Sequence, residues 1–182
     1  MHRSNTMELE SYIGRLERFA ADCGAPVVRN ALVAGVLGQA EERRIVLRTG
    51  MSLDQQLLTL AHELTHLLVH CIAYPRINRT VCEYEAEAVE RWVGAVLKVG
   101  ASSRENLDMD SMTEDLLACS VLRVRRAAHV ILAVARDDAF TLASWSLQPQ
   151  SAVDIDAPPG EEVVLNDELH GMRDFVRLTQ TL

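Results

Sequence analysis

The stretch from Leu57 to Cys71 reads LLTLAHELTHLLVHC. It contains no Gly or Pro, and Leu57, Leu58, Leu60, Ala61, Leu64, Leu67, Leu68 and Val69 are apolar, which predicts a helix buried on most sides. Inside it lies His62-Glu63-Leu64-Thr65-His66. Residues four apart on a helix stack one turn along the axis, roughly 6 Å. His62 and His66 can therefore offer two imidazoles to one tetrahedral zinc ion. Glu63, about 100° around the helix from His62, stands where it could act as a base on water at that ion. Polar side chains on so apolar a helix are costly to bury without partners or a metal. That cost weighs for a site and against a core helix with merely satisfied polar groups.

A hydrolytic zinc usually takes three protein ligands and keeps a place for water. An extended motif with a Gly three residues and a His six residues after His66 is excluded, because those positions are Val69 and Ile72. His70 continues the i, i+4, i+8 series, but one straight helix cannot wrap three ligands around an ion. A second helix is expected over Val81–Val99, after a turn built on residues 74–78, and it carries Glu83, Glu85, Glu87 and Glu90. Glu83 and Glu87 share a face, whereas Glu85 aligns with Val89, Trp92 and Val96. The run from Glu83 through Ala86 to Glu87 resembles the second-helix motif of Glu-type zinc peptidases. That resemblance implies Glu83 as third ligand and Glu87 as the group that orients a ligand His. Glu85 is the alternative metal ligand, 18 residues beyond the motif. A solvated acidic face is the plain alternative for all four carboxylates.

Together these residues resemble the ImmA/IrrE family of metallopeptidase-like domains and the related domain of ArdC-type antirestriction proteins. The resemblance runs through residues 43–52, read as a strand and turn entering the active helix, then HELTHLLVH, then Glu83–Val89 as EYEAEAV. It spans roughly residues 27–136. It implies a zincin-like α+β domain, mostly helical, with a small N-terminal β-sheet. It also implies a zinc site of two His and one Glu with Glu63 as base, in proteins of stress responses and mobile elements, some of which cleave a repressor. Glu90 departs from the family pattern, which has a small apolar residue there; its carboxylate would crowd the site or face solvent.

The chain has 182 residues, 48% hydrophobic but only 4% aromatic, so Leu, Val and Ala must fill the core of what reads as one domain. Its formal charge is −8, and residues 151–182 carry seven acids against Arg173 and Arg177. Such a surface argues against direct nucleic-acid binding, though not against mimicry of DNA. The opening MHRSNTMELE lacks the apolar segment of a secretory signal, and no run is long enough to span a bilayer; a cytoplasmic protein without membrane association is expected. Cys23, Cys71, Cys82 and Cys119 form no C-x-x-C pair and are expected as reduced thiols, Cys82 more as a small buried residue than as a ligand.

Apolar spacing predicts a helix over Glu8–Asp22, short strands at residues 27–28 and 31–37, a turn at residues 39–42 and a strand at Arg43–Arg48, with Ile45 and Leu47 on one face. Ser52 and Gln55 form a capping-box pattern at the start of the motif helix. A further helix is expected over Met112–Asp138, with Arg123, Arg125 and Arg126 facing solvent or the acidic tail and His129 packed on the helix. Residues 1–147 form the expected domain, and residues 148–182 an acidic tail or linker.

The reading that results is a zinc peptidase acting on a protein or peptide, for example a DNA-binding repressor, whose extended backbone could pair with Arg43–Arg48 at a sheet edge. Tyr74, Tyr84 and His70 are candidate oxyanion stabilisers by nearness in sequence. The rival is a catalytically silent zinc-binding protein that regulates a repressor or restriction enzyme by association. Oligomeric state leaves no mark in the sequence.

Overall fold

The apolar stretch around the H-E-x-x-H motif is helical, as its spacing requires. Helix α2 in this computed structural model spans Leu53–Val69. Ser52 caps it: its Oγ accepts from the Gln55 backbone N–H at 3.3 Å, and Gln55 Oε1 accepts from the Ser52 N–H at 3.1 Å. The structure describes residues 2–41, 43–70, 79–100 and 114–137. Among these the chain is α+β and mostly helical. The other elements are α1 (His2–Asp22), β1 (Val27–Asn30), β2 (Gly38–Glu41), β3 (Arg44–Arg48), α3 (Arg79–Leu97) and α4 (Glu114–Arg136). The expected turn at residues 74–78, the loop after Gly100 and the acidic tail lie outside the described residues.

Nine consecutive residues of α2, Leu57 to Thr65, are buried. A helix can lose solvent on every side only at the centre of a domain, and α2 packs against α1, α3, α4, β2 and β3. The core joins Leu9, Ile13 and Leu16 of α1, Leu57, Leu60 and Leu64 of α2, Val89 and Val93 of α3, and Val124, Ala128 and Ile131 of α4. Arg15 ties α1 to the end of α4 by donating to the Ala135 carbonyl at 2.8 Å.

The sheet corrects two expectations. Its order is β1-β3-β2, with β1 parallel and β2 antiparallel to β3. Arg44–Arg48 is therefore the central strand, not an edge. Both its faces are covered, so Ile45, Val46 and Leu47 are all buried and no alternation survives. The second strand falls on Gly38–Glu41, partly where a turn was expected, while residues 31–37 form a loop with Gly35 at φ 87°. Pairing explains the shift: Glu41 opposite Arg44 closes a hairpin over two residues, and cross-strand partners outweigh the β-propensity of the earlier valines.

Among the described residues, no helix is long and apolar enough to cross a membrane. Leu60 is fully buried at the middle of α2. Leu60→Ala should lower unfolding free energy by about 2–5 kcal/mol in urea denaturation, the range for emptying a core leucine site.

Candidate metal centre

One turn of α2 places the rings of His62 and His66 edge to face, with centroids 4.9 Å apart. Their Nε2 atoms lie 3.2 Å from each other. From the first turns of α3, Glu83 brings Oε2 to 3.4 Å from His62 Nε2 and 3.7 Å from His66 Nε2. Ligands bound at zinc–nitrogen and zinc–oxygen lengths near 2.0–2.2 Å sit about 3.3–3.6 Å apart at the corners of a tetrahedron. The three atoms form such a triangle, and the donor set suits a borderline cation like zinc. The structure thus brings together His62, His66 and Glu83 as a group that could hold a metal ion. The two imidazoles, His62 first, hold the Glu83 carboxyl well below the ordinary carboxylate range against its partial burial, so it faces them as an anion.

The other three acids of α3 go elsewhere. Glu85 is fully buried and reaches α4, where Ser120 Oγ donates to it at 2.6 Å and Arg123 Nε at 2.9 Å. It is not in the converging group. Glu87, expected behind a ligand histidine, is instead bound by Arg91 one turn along α3. Burial pushes its carboxyl upward while Arg91 opposes that. The carboxylate facing the outer nitrogen of His62 belongs to Glu90, whose Oε2 lies 3.2 Å from Nδ1. The acid that broke the family pattern is thus buried against the site, neither solvated nor crowding the converging atoms. Its signal was the seven-residue spacing from Glu83, which returns it to the same helical face two turns on.

The centre opens into a cleft of about 830 Å³. Residues 35–40 form one wall, His62, Glu63, His66 and His70 lie along α2, and Arg79, Cys82 and Glu83 line the side of α3. Glu63 is nearly buried beside the two histidines. Gly38 lets β2 settle onto it: a Cβ there would lie 2.5 Å from Thr59 Cγ2 and 2.8 Å from Glu63 Oε1. The need for a glycine here is set by tertiary contact and not by local propensity. Cys82 has a free thiol that burial, then Glu85 and Glu83, pushes up to about 11, so it is protonated at neutral pH. Tyr84 is buried and does not line the cleft, and burial raises its hydroxyl to about 12. Tyr74 lies outside the described residues. His70 lines the cleft, but both its ring nitrogens are engaged, with His66 and Glu85. Arg123 points to Glu85, contrary to the solvated face expected of it, while Arg125 and Arg126 are exposed. His129 is exposed, edge-on to Trp92 at 6.3 Å between centroids.

No protein-family model, no curated protein and no solved structure matches the chain, so the site rests on its own geometry.

Two outcomes follow from this geometry. Wild-type protein should retain about one divalent metal per chain after gel filtration, as a three-ligand site does. His66→Ala and Glu83→Ala should each lose it and Glu87→Ala should not, as read by elemental analysis; metal retained by Glu83→Ala removes that residue from the set. Gly38→Ala should destabilise the fold by about 1–3 kcal/mol, the cost of overpacking, and displace Glu63 in a crystal structure.

Proposed function

We propose that the chain is a zinc-dependent peptidase with a zincin-like domain, as its resemblance to ImmA/IrrE-type metallopeptidases implies. The observation that carries this reading is the convergence of His62, His66 and Glu83 at the floor of an open cleft, with Glu63 on the same turn of helix. A structural site would need neither the cleft nor the fourth polar group.

Zinc bound there would supply Lewis acidity toward a carbonyl and bring the pKa of water toward ~7. Glu63 would take the proton from the attacking water and deliver it to the leaving amine. Its burial beside Gly38 and Thr59 restricts its carboxylate to a narrow range of positions. Glu83 and the imidazoles would hold the ion, and the charge of Glu90, 3.2 Å from His62 Nδ1, would favour the tautomer with Nδ1 protonated and Nε2 free to coordinate.

The substrate class follows from the sheet. β2 is an edge strand, and its residues 38–40 line the cleft. An extended peptide laid against β2 would pair its backbone with the strand and pass over the centre. Only unfolded or loop segments of a protein can adopt that form, and an exposed linker in a repressor would qualify.

Glu63→Gln should keep bound zinc and lower cleavage of an unfolded protein, reduced casein for example, by about 10²–10⁴-fold, the usual contribution of a general base. Cleavage by this variant at the wild-type rate would remove Glu63 from the mechanism. A zinc-loaded wild type that cleaves no unfolded chain would favour the silent, associating protein.

A further inference from the structure

A continuous line of polar contacts runs from the candidate metal centre through the core to α4. His66 Nδ1 lies 2.9 Å from His70 Nδ1. His70 Nε2 lies 2.9 Å from Glu85 Oε2. Glu85 also accepts from Arg123 through both Nε, at 2.9 and 3.0 Å, and Nη2, at 2.5 Å, and from Ser120 Oγ at 2.6 Å. Glu85 is fully buried and His70 nearly so. The line meets the converging atoms of His62 and Glu83 at His66.

The geometry points to His70, Glu85 and Arg123 as positioning residues that fix the ring of His66 with its Nε2 lone pair turned toward His62 and Glu83. An ionised carboxylate only accepts hydrogen bonds. Glu85 takes two nitrogens of the Arg123 guanidinium and the Ser120 hydroxyl on its carboxylate, and pairing with that fixed cation makes it the acceptor of the line. His70 then donates from Nε2 and presents the lone pair of Nδ1 to His66, whose own Nδ1 carries the proton between the two rings. His66 is left with a free lone pair at Nε2, the atom 3.2 Å from His62 Nε2 and 3.7 Å from Glu83 Oε2. A second imidazole stands here where a carboxylate or carbonyl usually backs a ligand histidine. Both histidine N–H groups in the line point away from the centre, and the carboxylate that ends it is answered by Arg123 and Ser120. The inference rests on the metal reading of the centre only for what the lone pair is used for; the tautomers follow from the contacts alone.

The test uses full-length, metal-free protein with ¹⁵N-labelled histidine, and long-range ¹H–¹⁵N spectra that identify the protonated nitrogen of each ring. Wild type should show His66 protonated at Nδ1 and His70 at Nε2. His70→Phe, which keeps a ring but removes both nitrogens, should release His66 from that tautomer and weaken zinc binding by about 10–100-fold in chelator competition, the usual effect of losing such a partner. The visible spectrum of the cobalt-substituted protein should change with it. If His70→Phe does not fold, the double variant Glu85→Gln with Arg123→Met removes the chain's charges as a pair and should weaken zinc binding in the same way. His66 protonated at Nε2 in the wild type, or zinc affinity within about twofold of wild type in the variant that folds, overturns the proposal. A wild type with the stated tautomers but no zinc affinity leaves the chain standing and removes the peptidase reading instead.

Discussion

A helix cannot carry imidazoles and a carboxylate through the middle of an apolar core unless neighbouring elements answer their polarity. That requirement shapes the molecule around α2. Leu57 to Thr65 are buried without interruption, yet the run includes His62 and Glu63. Isolated polar groups in such surroundings cost several kcal/mol, roughly 2–7 each in an apolar medium. The answer comes from α3, and it can come only if the two helices lie close together. Small residues at their contact allow this: Ala86 is fully buried, and a Cβ on Gly94 would already stand 3.0 Å from Leu58 Cδ2. Larger residues at either position would hold the carboxylates of α3 away from the rings they face.

The acids of α3 then divide by helical phase. Glu83 and Glu90, seven apart, bracket His62 from its two ring nitrogens, at 3.4 and 3.2 Å. Glu85, on another face, turns to α4 and meets Arg123. Glu87 is neutralised locally by Arg91. Four carboxylates within eight residues of one helix are thus shared among the histidines of α2, Arg91 and Arg123. Their mutual repulsion is relieved by turning to different partners, with only Glu83 keeping substantial contact with water.

Much of this was legible in the sequence because it depends on local periodicity. The 3.6-residue repeat placed α2 and α3 to within a few residues and α1 except for its first six, and the capping box at Ser52 and Gln55 is a local hydrogen-bond pattern that needs no tertiary information. The convergence of His62, His66 and Glu83 was legible for the same reason, once a second helix was required. What escaped depends on which elements become neighbours. The strand at Gly38–Glu41 exists because β3 pairs with it. Gly38 matters because Glu63 lies beneath it. Glu85 was expected to point inward, but nothing along the chain says that Ser120 and Arg123, 35 and 38 residues later, would receive it. Arg123 sits in a basic cluster that looks solvated until α4 is laid against α3.

The union of Glu85 with Arg123 also bears on how the molecule comes into being. A chain emerging from the ribosome presents α2 and α3 before Arg123 has emerged. Until then, closing α3 onto the core would bury Glu85 against His70 but without the cation that answers its charge, and a buried pair lacking one partner costs about 3–5 kcal/mol. Full closure of α3 on α2 is therefore favoured only once α4 has docked and supplied that cation.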